Sequence, residues 1–207
     1  MIELIDYPLS ERSYPVRLLM SQLGIENFTT IEEGFVTQNG VSNEIMKISP
    51  LGDFPILLDG DKKVWSSNAC LIYLASKYDA NDSWYPQDPD TLANLHEWLI
   101  IASELSDSIG KLREHEIFLR DDVNINEKKK LAYSLLKKIE TQLWKNNLTN
   151  KVWLVDNQPT IADLACFSYI IFSDQASISL MDFPYIKKWC KQIHNLPNFS
   201  EIPGIYS

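Results

Sequence analysis

Two serines, Ser66 and Ser67, stand directly before an apolar stretch with helical spacing, in the segment PLGDFPILLDGDKKVWSSNACLIYLA over residues 50–75. The first main-chain N–H groups of a helix have no partner inside it and its dipole makes that end positive, so serines there favour binding of an anion. A Phe54-Pro55 step opens the preceding strand, whose exposed edge can pair with a peptide-like main chain. These features predict a site for a small anion with an amino-acid-like backbone, although Ser67 as a plain helix N-cap is the alternative.

The elements ahead of this segment follow from side-chain periodicity. Residues 2–6 alternate apolar and acidic side chains as a half-buried strand does, and a helix is predicted from Tyr14, with Ser13 as N-cap and Gly24 at its C-terminal end. FTTIEEGFV is rich in β-branched and aromatic residues and predicts a second strand, and VSNEIMKISP predicts one short irregular helix.

FPILL and KKVW flank Asp59-Gly60, which predicts a hairpin, and a helix follows with Ser67 as its N-cap. The resulting order is β-α-β-α-β-β-α, which is the order of a thioredoxin-like sheet. DANDSWYPQDPD then has the polar, proline-bearing composition of a linker.

Beyond Pro89 helical periodicity dominates, and VWLV is the one short strand candidate. QPTIADLACFSYIIF carries a capping box, Thr160 with Asp163, ahead of a helix that is apolar all round and is expected at the centre of its domain. We therefore predict a thioredoxin-like domain over 1–79, a linker over 80–90 and an all-helical domain over 91–207.

Composition excludes several classes of function. The chain has 207 residues, 45% hydrophobic and 23% charged, as in an ordinary globular protein. A net charge of −9 opposes nucleic-acid binding, and no apolar run reaches the ~18 residues of a membrane span. No signal peptide is visible, so we expect a cytoplasmic protein. Three scattered cysteines lack disulfide-framework or metal-ligand spacing, so we expect them to be buried and expect no metal.

Four motifs, in order, resemble the cytosolic glutathione S-transferase family over essentially the whole chain. YPLSERSYPVRLLMSQLGI resembles the first loop and helix of bacterial members, and SPLGDFPILLDGDKKVWSSNACLIYLA is similar to the glutathione-binding segment. PTIADLACFSYI and FPYIKKWCKQIHNLPNF resemble the C-terminal domain. The resemblance implies an α/β thioredoxin-like N-terminal domain, an all-α C-terminal domain and a homodimer.

The resemblance also implies an activity, the detoxifying conjugation of reduced glutathione, as co-substrate, to small and mostly apolar electrophiles. Ser10 matches the position at which serine-type members place the hydroxyl that hydrogen-bonds the glutathione sulfur. Ser67 would bind the γ-glutamyl carboxylate, and Phe54 would pair through its main chain with the cysteinyl residue beside a cis bond. Ser66 stands where family members carry an acidic residue for the γ-glutamyl amine. Two alternatives to Ser10 are Tyr7 and Ser13.

Departures from the family pattern leave alternatives open. Ser66 is a weaker partner for an amine than a carboxylate is. Asp53 adds negative charge beside an anion site, and Arg12 either contacts the ligand or faces solvent paired with Glu11. These departures support a different function, that of a non-catalytic interaction or regulatory protein with the same fold. Glutathione-dependent reduction is disfavoured because Ser10 has no thiol with which to form a mixed disulfide.

Overall fold

The computed structural model of the protein describes residues 2–26, 28–31, 36–37, 40–119 and 122–202. The chain divides into two compact units, Met1–Ala80 with Ser200–Ser207, and Asn81–Phe199. The segment from Ser200 therefore groups with the first unit, whereas the sequence assigns it to the helical domain. The predicted domain limits stay a prediction in other respects.

The first unit is an α/β unit with a mixed four-stranded sheet. Its strands lie in the order β2-β1-β5-β6, with β1 and β2 parallel and the other two pairs antiparallel. This topology and the helices around it confirm the thioredoxin-like prediction. In chain order the elements are β1 (Ile2–Ile5), α1 (Tyr14–Gln22), β2 (Phe28–Ile31), β3 (Val36–Thr37), β4 (Gly40–Val41), α2 (Asn43–Met46), β5 (Ile56–Asp59), β6 (Lys62–Trp65) and α3 (Ser67–Tyr78).

The β5–β6 hairpin turns one residue later than the sequence predicts. Asp59 pairs with Lys62, so the two loop residues are Gly60 and Asp61. Gly60 has φ +58°, in the left-handed region that glycine adopts without steric cost. Asp59 therefore belongs to the strand, and its side chain is available for other contacts.

The Asp59 carboxylate holds this hairpin to the C-terminal end of α3. Its Oδ2 accepts hydrogen bonds from the hydroxyls of Tyr73 and Tyr78, at 2.8 and 2.6 Å, and from Lys77 Nζ at 2.5 Å. The hydrogen bonds from Lys77 and Tyr78 lower the pKa of Asp59 to about 2. The Asp59 carboxylate thus fixes the C-terminal end of α3. The position of its N-terminal end is set by β6, which directly precedes it.

The second unit is helical in the residues that the structure describes. Every residue of α7 is buried and α7 packs along α4, so the helix that is apolar all round lies at the centre, as predicted. The predicted linker overlaps α4, which begins at Pro89. The elements are α4 (Pro89–Leu105), a π-helical segment (Ser106–Gly110), α5 (Lys111–Phe118), α6 (Ile125–Leu148), α7 (Ile161–Ile170), a 3₁₀ turn (Asp174–Ala176) and α8 (Pro184–His194).

A buried carboxylate, that of Asp163, organises the start of α7. Its Oδ2 accepts from Thr160 N at 2.9 Å and Thr160 Oγ1 at 3.1 Å, and its Oδ1 accepts from Leu154 N and Trp189 Nε1, both at 2.9 Å. The capping box predicted from sequence is present. The VWLV segment forms no strand, which corrects the sequence expectation, because the Leu154 N–H is bonded to this carboxylate instead.

Replacing Asp163 with Ala should lower the free energy of unfolding by about 2–4 kcal/mol, because the cap is removed and the buried donors of Leu154 and Trp189 lose their acceptor. Asp163→Asn keeps one acceptor oxygen and should lose less. Urea denaturation followed by far-UV circular dichroism measures both. Asp182→Ala, at an exposed position of the same unit, is the matched control. A loss for Asp163→Ala no larger than that of the control would contradict the role of this carboxylate.

Candidate functional site

Strand register brings three chain segments to one end of the first unit's sheet. Ile5 of β1 pairs with Ile56 of β5, and Ile56 pairs with Trp65 of β6. The loop after β1, the residues before β5 and the start of α3 therefore all lie at this end. Ile5 and Ile56 form a buried cluster with Ile45, and this apolar packing holds the end of the sheet in place. The three segments carry all the residues that the sequence nominates: Ser10, Phe54, Ser66 and Ser67.

The N-terminus of α3 is open. Ser66 is the N-cap and Ser67 the first helical residue, so the predicted cap at Ser67 is wrong by one position, and no side chain caps the helix. Cys70 N donates to Ser66 O at 3.0 Å, which is the first hydrogen bond of the helix. Among the described residues, no partner is found for the hydroxyl of Ser66 or Ser67, or for the Ser67 and Ala69 N–H groups. These groups are available to an anion at the positive end of the helix dipole.

The main chain of Ser66 is strained. Its φ is +76° with ψ 137°, a conformation that residues with a Cβ atom rarely adopt. Such a conformation costs on the order of 1–3 kcal/mol and persists where the surrounding structure imposes it, often at ligand sites. This conformation of Ser66, although the residue is not a glycine, sets the direction of the first turn of α3.

Phe54 offers its main chain while its side chain is committed to the core. The Phe54-Pro55 peptide bond is cis, as the resemblance implies. The phenyl ring packs against the Ile5, Ile45 and Ile56 cluster, so this side chain contributes to the core. In the part of the chain that the structure describes, neither the N–H nor the C=O of Phe54 has a hydrogen-bond partner. An extended peptide could pair with these two groups.

Two serines lie in the loop that joins β1 to α1, and their hydroxyls differ in hydrogen bonding and burial. Ser10 is half-buried, and its Oγ accepts from Arg12 N at 3.2 Å and Ser13 N at 3.4 Å, which leaves its proton unused among the described contacts. Ser13 is the N-cap of α1 by position, as predicted, but its side chain makes no capping bond. Its Oγ is fully buried without a partner in the described structure.

The loop between β1 and α1, residues 6–13, is called the serine loop below. Its Arg12 forms an ion pair with Asp53, which directly precedes Phe54. Arg12 Nη1 lies 3.1 Å from Asp53 Oδ1, and Asp53 N donates to Ser49 Oγ at 2.9 Å. The sequence suggests Glu11 as the partner of Arg12 and treats Asp53 as an uncompensated charge, and the second expectation is corrected here. Asp53 does not confront an anion alone, because Arg12 offsets its charge.

A second ion pair in this region, Asp6 with Arg17, has no counterpart in the sequence analysis. Asp6 follows β1 directly and is 4% exposed, and its Oδ2 accepts from Arg17 Nη1. Arg17 Nη2 donates to the carbonyl oxygen of Pro8 at 2.6 Å. The available signal was an acid at the end of the alternating strand and a basic residue on the predicted helix, which does not by itself specify a pair.

The native cysteines do not supply a reactive thiol. Cys70 and Cys166 are buried, and burial raises the pKa of Cys70 and of Cys190 to about 12 and that of Cys166 well above its usual value. Across the described ranges, no group of three or more His, Cys, Asp or Glu side chains is placed to hold a metal ion. Within the same ranges, none of the helices is both long enough and apolar enough to cross a membrane.

Comparisons with known proteins find similar sequences and similar folds. Residues 114–197 match the family model "Glutathione S-transferase, C-terminal domain". Glutathione S-transferase D6 of Drosophila melanogaster is 24% identical over 207 residues, which covers 97% of this chain and 91% of the relative.

Two solved structures share the fold. A glutathione S-transferase from Xanthobacter autotrophicus aligns with a TM-score of 0.84 at 22% identity, covering 98% of this chain and 97% of its own. Ure2p in complex with glutathione aligns with a TM-score of 0.86 at 22% identity, covering 96% of each chain. The solved structures show the fold, and the sequence matches, with the order of the motifs, show that the chain belongs to the cytosolic glutathione S-transferase family.

Proposed function

We propose that this protein is a cytoplasmic glutathione transferase that conjugates reduced glutathione to small, mostly apolar electrophiles, in a detoxifying role. One observation carries the proposal: unpartnered polar groups of three segments lie at one end of one sheet. They are the N-terminus of α3, the main chain of Phe54 and the hydroxyl proton of Ser10. These groups match, in kind, the carboxylate, peptide and thiol of the tripeptide.

Each part of glutathione has a proposed partner. The γ-glutamyl carboxylate binds the Ser67 hydroxyl and the free N–H groups of α3, with a dipole contribution of about 0.3–1 kcal/mol. The cysteinyl residue pairs with the Phe54 main chain as a short added strand. The Ser66 hydroxyl accepts from the γ-glutamyl amine, more weakly than the acid found in relatives would.

The serine loop would stabilise the thiolate. A free thiol has a pKa of about 8.5, and lowering it by two units requires about 2.7 kcal/mol. One hydrogen bond to a charged sulfur contributes roughly 1.5–3 kcal/mol, and the positive end of α1 adds up to about 1 kcal/mol. These contributions are sufficient. The sulfur then attacks an electrophilic carbon and either displaces a halide ion or adds to a conjugated alkene, whose carbanion takes a proton.

Ser10 is the proposed hydroxyl donor, and Ser13 is the second candidate. The two N–H groups that Ser10 Oγ accepts fix its position and leave its proton free to donate. Ser13 has one observation in its favour, because a buried hydroxyl without a partner in the described structure costs roughly 1–3 kcal/mol. It has one against it, because Ser13 is 0% exposed and a sulfur could reach its hydroxyl only if the loop moved.

Replacing the true donor with Ala should lower kcat/KM for a chloro-aromatic electrophile by about 10- to 100-fold and move its acidic pH limb upward, since the thiol pKa rises. Ser10→Ala and Ser13→Ala are each other's matched control in steady-state kinetics between pH 5.5 and 9. A larger loss for Ser13→Ala would move the role to Ser13. Unchanged pH profiles in both variants would contradict serine-assisted ionisation.

Reduced glutathione should stabilise the wild-type protein, because a ligand that binds only the folded state adds RT ln(1 + [L]/Kd), more than 1 kcal/mol for millimolar ligand at a Kd of about 100 μM. Ser67→Ala should abolish most of this shift in a thermal-denaturation titration. Ser76→Ala, on an exposed turn of the same helix, should retain it. Equal shifts in the two variants would place glutathione elsewhere.

The second candidate function is a non-catalytic interaction protein of the same fold. Ser66 favours it, because a neutral hydroxyl stands where relatives carry an acid for the γ-glutamyl amine. Absence of a thermal shift at saturating glutathione, together with absence of turnover over a panel of electrophiles, would support this function against the first.

We also propose that the protein is a homodimer, as family members are. On the first unit Leu51 is 71% exposed and Met46 43% exposed, which is unfavourable for large apolar side chains in water. Size-exclusion chromatography with light scattering should give twice the 23.9 kDa chain mass. Leu51→Glu should shift this to one chain, whereas Met181→Glu, at a 79% exposed position of the second unit, should not. A monomeric wild type would refute the homodimer.

A further inference from the structure

The Asp6–Arg17 ion pair lies at the base of the serine loop. Asp6 follows the central strand β1, and its carboxylate is almost fully buried. Arg17 projects from α1 and bonds both Asp6 Oδ2 and the carbonyl oxygen of Pro8, two residues before Ser10. The guanidinium thus ties the end of β1, the loop and α1 together.

This carboxylate is incompletely satisfied. Asp6 Oδ1 is buried with no hydrogen-bond partner in the described structure, and Ser13 Oγ in the same loop shares that property. A buried charge is costly unless it is paired, so the charge of Asp6 depends on Arg17. A negative group at this position would also disfavour a thiolate nearby, and Arg17 cancels that effect.

We propose that Asp6 and Arg17 are positioning residues whose balanced charges set how readily a thiol at the serine loop ionises. The proposal rests on the proposed function for its biological meaning, because the thiol is that of glutathione. Arg17 fixes the loop through Pro8 and offsets Asp6, while Asp6 holds Arg17 in place. Removal of either charge should therefore change thiol ionisation, and in opposite directions.

Other charged groups face the same loop and must be kept constant. Glu11 is buried within it, and Arg12 pairs with Asp53 from the segment before β5. Tyr14 of α1 donates to Ser200 O, and burial raises its pKa, with Arg17 and Glu201 acting on it in opposite senses. None of these is altered in the variants below, so a change can be assigned to the pair.

A thiol introduced by Ser10→Cys measures the local field without glutathione. Its pKa is obtained from the rate of alkylation by iodoacetamide between pH 5 and 10. The native cysteines interfere little, because burial holds their pKa values high. Ser10→Cys alone is the reference, and Asp61→Asn, in the exposed hairpin turn at the other end of the sheet, is the matched charge control.

In the Ser10→Cys background, Asp6→Asn should lower the introduced thiol's pKa by about half a unit to one unit, and Arg17→Met should raise it by a similar amount. The double variant should return close to the reference. A purely structural pair would act differently, because loosening the loop by either route should move both values in the same direction, toward the free-thiol value of about 8.5. Shifts of the same sign, or no shift beyond that of Asp61→Asn, would overturn the proposal.

Arg17→Met leaves a buried carboxylate unpaired, which destabilises the fold, so circular dichroism accompanies each variant. Arg17→Lys supplies a second comparison, since it keeps the charge and removes the two-pronged contact. In the Arg17→Lys variant the pKa of the introduced thiol should stay near the reference value, whereas Asp6→Asn should still lower that pKa. Equal shifts in these two variants would also overturn the proposal.

Glutathione binding by the Ser10 protein separates the two proposals. A field effect on the introduced thiol without any glutathione-induced thermal shift would retain the ion-pair role and reject the transferase function. Glutathione binding and turnover without a field effect would do the reverse. If both hold, Asp6→Asn should move the acidic limb of kcat/KM in the same direction as the introduced thiol's pKa.

Discussion

The site depends on the antiparallel register that sets Ile5 beside Ile56 and Ile56 beside Trp65. Because side chains alternate along a strand, a slip of one residue in β5 would turn Ile56 away from its cluster with Ile5 and Ile45. It would also carry Phe54 and the start of α3 away from the serine loop. Apolar packing beneath the sheet's end thus fixes the relative positions of polar groups that make no direct contact in the described structure.

Charge balance is the second condition for an anion site in this acidic protein. Asp53 and Asp6 lie at the same end of the sheet as the candidate site, and each is paired, with Arg12 and Arg17 respectively. The N-termini of α1 and α3 both lie at this end, where the helix dipoles favour negative charge, and that of α3 also offers N–H groups without a partner in the described structure. A net charge of −9 therefore does not by itself oppose binding at this place, since the charges of Asp53 and Asp6 are compensated locally.

Periodicity and turn chemistry predicted most of the fold, because those features act between neighbours in sequence. The strand over residues 2–5, the helix from Tyr14 and the capping box of Thr160 with Asp163 were all accessible in this way. Leu154 was not, because its N–H is taken by Asp163 nine residues later and not by a strand. The hairpin was correct and its turn one residue off, since both Asp59-Gly60 and Gly60-Asp61 suit a two-residue loop.

The candidate site was less predictable because its character comes from contacts between distant segments. No residue near Asp53 in sequence indicates that its partner is Arg12, 41 residues earlier. The Asp6–Arg17 pair likewise forms only because the chain turns from β1 into α1. The cap of α3 fell on Ser66 because its positive φ starts the helix one residue after it. Ser10 and Ser13 differ in which lone pairs and protons are used, and three-residue spacing does not encode that difference.

The serine at position 66 bears on affinity more than on chemistry. A charge-assisted hydrogen bond is roughly twice as strong as a neutral one, so a hydroxyl in place of a carboxylate forfeits on the order of 1 kcal/mol, less than a tenfold change in Kd. In the proposed complex, the amine that Ser66 would contact lies at the γ-glutamyl end of glutathione, whereas ionisation would occur at the sulfur beside the serine loop. The strained conformation of Ser66 still directs the first turn of α3 and its free N–H groups. The serine at residue 66 is therefore compatible with saturation at a higher glutathione concentration and with an undiminished reaction once glutathione is bound.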